Sequence, residues 1–381
     1  MNEVIAGGER DAGLSASEIW IYLFLSACGQ ANLRMRRSNL LIRKLWIVGL
    51  CLAALSFIGC QQTSQPSEQG STANAGRAKK ITICLLPKIK GISYFSSCYK
   101  GAIEAARELG NIELIYDGPT DGDPKKQAEM IDQWVVDGVD AICVSPNAPD
   151  VVATAMAEAR AAGVKVITWD ADGMPASREF FVNQATAQSI GGGMVNAMVK
   201  DLGPEVTGDV VIISSDATSA NQNAWIEIMK STLSKSKLNL VTIKYPGENA
   251  SSALADAMDV VKKYPELKGI FGISSVSFPG AAEGVEQMSK SGSILVTGLS
   301  TPNDMKSFVK KGTVKSVILW NTIDLGYLTV YVGEALVRGT LKKGTTSLSA
   351  GRLGEKQIVG DNVMLGDIMV FTKDNIDQHN F

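Results

Sequence analysis

Short apolar runs rich in β-branched residues alternate with longer segments of helical period from residue 81 to residue 338, and few folds accept that rhythm. Strands are predicted at 81–86, 112–116, 141–145, 164–169, 209–214, 240–245, 269–273, 294–299 and 314–319. The helices predicted between them span 98–109, 124–137, 149–162, 185–202, 221–234, 250–264, 277–289, 303–311 and 324–338. A parallel strand pair needs a crossover, so such alternation implies parallel sheets with helices on both faces. The punctuation agrees. Gly110, Gly138 and Gly163 follow helical segments where a left-handed residue belongs, and Asp123-Pro124 and Pro149-Asp150 open helices. The rhythm pauses around 179–187 and then resumes. The expected fold class is α/β, with two doubly wound parallel-sheet lobes.

In open parallel sheets, ligands bind beyond the carboxyl ends of the strands. In the first half those tips carry Lys88, Lys90, Tyr94 and Phe95, then Ser145 and Asn147, then Trp169, Asp170 and Asp172. In the second half they carry 214–222, with Asn221 and Gln222, then Ser274, Ser275 and Phe278, then Ser300 to Asn303, and finally Trp320 and Asn321. Carboxylates, amides, hydroxyls and flat rings together suit a neutral polyol, whose hydroxyls need planar partners and whose C–H face needs an aromatic platform. Asp170 is the leading ligand contact, Lys88 is shaped into the site by Pro87 and Gly91, and Asp172 shares its direction if the strand continues. Trp169 precedes Asp170 within a strand and is expected in the core; Tyr94, Phe95 and Trp320 are the stacking candidates. No metal set is expected, since the single histidine, His379, lies far from these tips. Gly191-Gly192-Gly193 lacks the spacing of a phosphate loop and suits close helix packing, so no cofactor is expected. Lys310-Lys311 and Lys342-Lys343 read as solvated helix-end charges.

The N-terminal segment has a different logic. Residues 45–60 are an apolar run too short to span a bilayer comfortably, preceded by Arg36, Arg37, Arg43 and Lys44 and ended by Gly59-Cys60. That layout is an export signal, and the cysteine after the small residue resembles the lipobox of bacterial lipoproteins, in which the thiol is acylated. Phe57 departs from the usual leucine of that motif. A second apolar patch, 19–27 before Cys28, has acidic flanks from Glu3, Glu9, Asp11 and Glu18 and so makes a poor signal; Met35 suits a start. The expected organisation is an upstream extension at 1–34, a lipoprotein signal at 35–59, a lipidated Cys60 and a polar tether at 60–79.

Charge and cysteine content narrow the classes. Lys and Arg number 37 against 39 Asp and Glu, which leaves no footprint for nucleic acid. Past Cys60 only Cys84, Cys98 and Cys143 remain, too few and odd in number for a disulfide framework. Cys84 and Cys143 fall in strand-like runs and read as core. An enzyme finds little support: no G-x-S-x-G elbow, metal cluster or central histidine is present.

Several longer motifs point the same way. Pro87-Lys88 with Gly91, Tyr116-Asp117-Gly118-Pro119-Thr120, Thr168-Trp169-Asp170-Ala171-Asp172, Asn183-Gln184, Asn221-Gln222-Asn223 with Trp225, and Ser300 to Met305 resemble the periplasmic sugar-binding proteins of ABC importers. Gly312-Thr313-Val314-Lys315 and Leu319-Trp320 extend the match over essentially all of 80–381. The pattern is most similar to the rhamnose-binding and autoinducer-2-binding branch of the ribose-binding-like family. That resemblance implies a type I periplasmic binding fold, a three-crossover hinge, closure on ligand, and action as a monomer with a membrane permease as partner. Crossovers would fall near Asn183, Asn321 and 345–352. The N-terminal lobe would then be 80–184 plus 322–348, and the C-terminal lobe 185–321 plus 349–381. In the autoinducer-2 branch the matching ligand positions are Lys88, Asp170, Asn221-Gln222 and Ile273-Ser274-Ser275. Lys88, Asp170 and Gln222 fit that branch; Asn221 replaces Asp, and Ile273 and Ser275 replace Pro and Ala. The departures favour a monosaccharide. A signalling receptor for autoinducer-2 or sugar would share the fold, whereas a related two-lobed repressor would need a helix-turn-helix where the export signal stands. The expected ligand set is Lys88, Tyr94, Phe95, Asp170, Asp172, Asn221, Gln222, Ser275, Ser300, Trp320 and Asn321.

Overall fold

The computed structural model describes residues 80–381; the expected upstream extension, export signal, lipidated Cys60 and tether lie outside the described residues. Strand β1 (Ile81–Leu86) is buried along nearly its whole length and pairs in parallel with β2 (Ile112–Tyr116) on one side and β3 (Ala141–Val144) on the other. Both faces of such a strand must be covered, which is why its sequence is almost uninterruptedly apolar. Helices α1 (Ser93–Leu109), α2 (Pro124–Asp137) and α3 (Pro149–Ala161) supply the cover, and β4 (Lys165–Trp169) and β5 (Phe181–Asn183) extend the sheet. Asp123 caps α2 through the Lys125 amide, and Gly110 and Gly138 end α1 and α2 in the left-handed conformation.

The second sheet repeats the plan. Strand β6 (Gly208–Ile213) lies between β7 (Leu238–Lys244) and β8 (Leu267–Gly272), followed outward by β9 (Leu295–Leu299) and β10 (Val314–Leu319). Its helices are α4 (Ala187–Leu202), α5 (Ala220–Leu233), α6 (Ala250–Lys263), α7 (Ser277–Gln287) and α8 (Pro302–Lys311). In each sheet the chain runs outward on one side of its starting strand and then on the other. The switch points are therefore at β1/β3 and at β6/β8, and a crevice opens beyond their carboxyl ends.

Helix α9 (Thr322–Arg338) returns to the first lobe and packs against α1. The approach is close enough that a Cβ on Gly101 would lie 1.7 Å from the Ile323 carbonyl oxygen, and one on Gly326 1.8 Å from that of Cys98. Glycine at both positions lets α9 hold α1, whose first turn faces the crevice.

The C-terminal strands differ from the expected division. Strands β11 (Ser347–Ser349), β12 (Glu355–Val359) and β13 (Asn362–Met364) extend the first sheet through β13–β5 pairing, and only β14 (Met369–Phe371) joins the second, antiparallel to β10. The third crossover accordingly lies at 365–368 and not at 345–352, and residues 349–364 belong to lobe one. The cause is local: β12 and β13 form a two-residue hairpin at Gly360-Asp361, which keeps the chain on one edge until β13 has paired. Helix α1 also starts at Ser93, a turn before the predicted residue 98, so Tyr94 and Phe95 stand on a helix.

Candidate functional site

The two crevices face each other across one cavity with an empty volume of about 410 Å³. Lobe one contributes Lys88, Ile92, Tyr94, Phe95 and Asp170. Asp170 follows the last residue of β4 with a φ of 62°, and the Ala171 amide donates to the Trp169 carbonyl at 2.6 Å. These are the marks of a γ-turn with positive φ, an uncommon and strained conformation that Asp tolerates better than most residues. The turn aims the carboxylate into the cavity. Tyr94 Oη donates to Oδ1 at 2.7 Å and Ser145 Oγ to Oδ2 at 2.8 Å, while Gln184 Nε2 donates to the Asp170 carbonyl at 2.8 Å. Burial first, then the charge of Asp170, pushes the Tyr94 phenol well up, so it remains a proton donor to that carboxylate. The same two causes raise the Cys98 thiol beneath it, which is therefore protonated and no nucleophile.

Lobe two contributes Asn221, Gln222 and Trp225 from α5, Glu248 from the loop after β7, Ile273 to Ser275 after β8, and Leu299. Gln222 is pinned: Oε1 accepts from Ser214 Oγ at 2.6 Å and the Ser215 amide at 2.9 Å, and Nε2 donates to Ser215 Oγ at 2.8 Å. Leu319 and Trp320 line the cavity at the hinge. Trp320 Nε1 donates to Tyr94 Oη at 3.0 Å, and its ring packs edge-on against Tyr94 and Trp225.

The lobes are joined across the cleft by side chains as well as by the hinge. Lys88 Nζ donates to Ser219 Oγ at 3.2 Å and Asn221 Oδ1 at 2.9 Å, both in lobe two, and stands 4.0 Å from Asp170 Oδ2. At the rim Ser93 Oγ donates to Asp304 Oδ1 at 3.0 Å.

Lys88, Tyr94, Phe95, Asp170, Asn221, Gln222, Ser275 and Trp320 thus share one cavity, and three expected residues do not line it. The strand ends at Trp169, so the γ-turn sends Asp172 the other way, into ion pairing with the buried Arg178 at 2.6 Å. Ser300 is spent on the Ser275 carbonyl at 3.1 Å, and Asn321 caps α9 through the Asp324 amide. Trp169 is fully buried and bonds to the Cys143 carbonyl, as its position in the strand predicts. Sequence reasoning missed Trp225, although it stood in a quoted motif, and Glu248, which no periodic pattern marks. A larger groove on lobe one, about 1330 Å³, borders Arg178, but Asp172 and Asp361 already satisfy that guanidinium. Among the described residues no group of His, Cys, Asp or Glu could hold a metal, and no helix is long and apolar enough to cross a membrane.

Two switch-point sheets closing on one mixed polar and aromatic cavity define a two-lobed solute-binding protein. Residues 83–341 match the family described as periplasmic binding protein domain. The ribose import binding protein of Bacillus subtilis is 24% identical over 306 residues, covering 80% of this chain and 96% of that protein. A sugar ABC transporter structure from Actinomyces odontolyticus is 32% identical with a TM-score of 0.65, covering 79% of this chain and 98% of the other. An ABC transporter solute-binding protein from Clostridium phytofermentas with bound L-rhamnose is 27% identical with a TM-score of 0.74, again over 79% and 98% of the two chains. The chain belongs to the periplasmic binding protein family, in its sugar-binding, ABC-transporter branch. It is a binding protein and not an enzyme, and membership implies an extracytoplasmic location.

Proposed function

We propose that the protein captures a neutral monosaccharide, rhamnose or a similar pentose or hexose, closes on it by hinge motion, and delivers it to the permease of an ABC importer from a lipid anchor at Cys60. The observation that carries this reading is the convergence of polar groups from both lobes on one cavity, with Lys88 already bonded across the cleft. A ligand that touches both walls favours the closed form by its differential contacts. The indole rings of Trp225 and Trp320 offer faces for a sugar's C–H surface, and Ile92, Ile273, Leu299 and Leu319 offer an apolar patch suited to the methyl group of a deoxy sugar. The relative that holds L-rhamnose supports that choice.

A thermal-shift panel of rhamnose, ribose, xylose, galactose, glucose and autoinducer-2 tests the reading, because a ligand of the folded state raises the melting temperature. A rise with one or more sugars is expected. A response to autoinducer-2 alone would move the assignment to a signalling ligand, which retention of Lys88, Asp170 and Gln222 keeps in view. Mass spectrometry of the mature N-terminus tests the anchor: an acylated Cys60 is expected, and a retained Met1 or an unmodified Gln61 would refute it.

A further inference from the structure

Glu248 is placed on the cavity wall by the loop that follows β7. Its Oε2 is shut off from solvent and has no hydrogen-bond partner in the protein, whereas neighbouring Gln222 is bonded through both of its polar atoms. Burial pushes the Glu248 carboxyl up. Lys88 and Ser215 draw it partly back, and Asp216 of its own lobe and Asp170 across the cleft add to the rise. Lys88 does not complete it: two of its three N–H groups donate to Ser219 and Asn221, its ammonium stands 4.0 Å from Asp170, and it makes no hydrogen bond to Glu248 Oε2. A buried carboxylate without full compensation costs stability, so folding of the empty protein gives no reason for it. A hydroxyl donor inside the cavity would supply the missing bond.

We propose that Glu248 is a ligand-binding, specificity-determining residue. Its free oxygen accepts a sugar hydroxyl on the wall of lobe two, facing the acceptor that Asp170 presents from lobe one. Two carboxylates against the single ammonium of Lys88 also set the cavity against sugar acids, so its substrate class is the neutral sugars. This rests on the monosaccharide reading of the site.

Calorimetry of wild type and Glu248→Gln with L-rhamnose, D-ribose, D-xylose, D-glucose, D-galactose and D-galacturonate tests it, together with melting of the ligand-free proteins. The variant should bind the best neutral sugar about tenfold more weakly, the scale of a lost charge-assisted hydrogen bond. Its preference for galactose over galacturonate should narrow. The ligand-free variant should melt higher than wild type at neutral pH. A carboxyl raised on folding holds its proton longer in the folded state, so wild-type stability falls as pH climbs from the unfolded value through the folded one. Glutamine has no such loss, and the gain should shrink in acid. Equal sugar affinity in the two proteins would overturn the inference while leaving the monosaccharide reading intact. Lower melting of the ligand-free variant at neutral pH would show a structural group and overturn it as well. Preference of the wild type for galacturonate would remove the selectivity, and failure of the wild type to bind any sugar would remove the monosaccharide reading and this inference with it.

Discussion

The two walls of the cleft are built differently. On lobe one the acceptor is finished before any ligand arrives: Tyr94 and Ser145 hold the Asp170 carboxylate, Gln184 holds its carbonyl, and the γ-turn fixes its direction. On lobe two Gln222 is held by Ser214 and Ser215, and the Asn221 Oδ1 by the Gln222 amide and Ser219 Oγ, but the wall is not finished. Asn221 takes its Lys88 hydrogen bond from the opposite lobe, and one oxygen of Glu248 has no protein partner. Lobe one is a preorganised template, and lobe two becomes complete through closure and ligand.

Substitutions that separate the walls can break that contrast. Asp170→Ala should cause the largest loss, roughly ten- to several-hundredfold in affinity, because hydrogen bonds to a charged acceptor contribute about 1.5–3 kcal/mol each. Asp170→Asn suits the positive φ and should fall between, so calorimetry on the pair separates acceptor from backbone. An Asp170→Ala protein that binds like wild type and still melts cooperatively would end the template view. Lys88→Met comes next. Removing its two bonds across the cleft, with Ser93–Asp304 and the longer Asn221–Asp170 contact left in place, should shift the ligand-free protein toward an open form and weaken binding by about tenfold, the scale set by hydrogen bonds from a charged donor. Small-angle scattering reads the first effect, and an unchanged radius of gyration without ligand would show that closure does not depend on Lys88. Trp320→Phe keeps a ring and loses the bond to Tyr94, so a loss of about 1 kcal/mol, or roughly fivefold, is expected. Asp172→Asn should leave affinity where it was and lower the melting temperature, since it weakens the pairing of buried Arg178 without touching the cavity. Reduced affinity with an unaltered melting temperature would restore Asp172 to the site.

Most of the architecture was legible because parallel strands buried on both faces must be apolar and their helices must be periodic. Strands β5, β11, β13 and β14, three residues each, carry too little pattern to stand out, and edge pairing assigns them. The third crossover was therefore misplaced. In the cavity, strand-tip positions foresaw that Lys88, Asp170 and Gln222 come together. The departure at Asp172 came from a turn that alternation cannot foresee, and Glu248 was passed over because no motif or periodic pattern marks its short loop, Tyr245 to Asn249. Ser93 to Ser97 are weak helix formers alone, and packing of α1 against α9 recruits them.

The return of β13 to the edge of β5 also orders events during synthesis. Strand β5 has emerged by residue 183, but its neighbour β13 arrives only after residue 362, when the contiguous core of lobe two, from α4 to β10, is already available. Lobe two can thus assemble from near neighbours in the chain, while lobe one must wait for a partner almost two hundred residues away. Refolding followed by hydrogen exchange should show β6, β8 and β9 protected before β5, and the reverse order would mean that the edge hairpin adds little to lobe one.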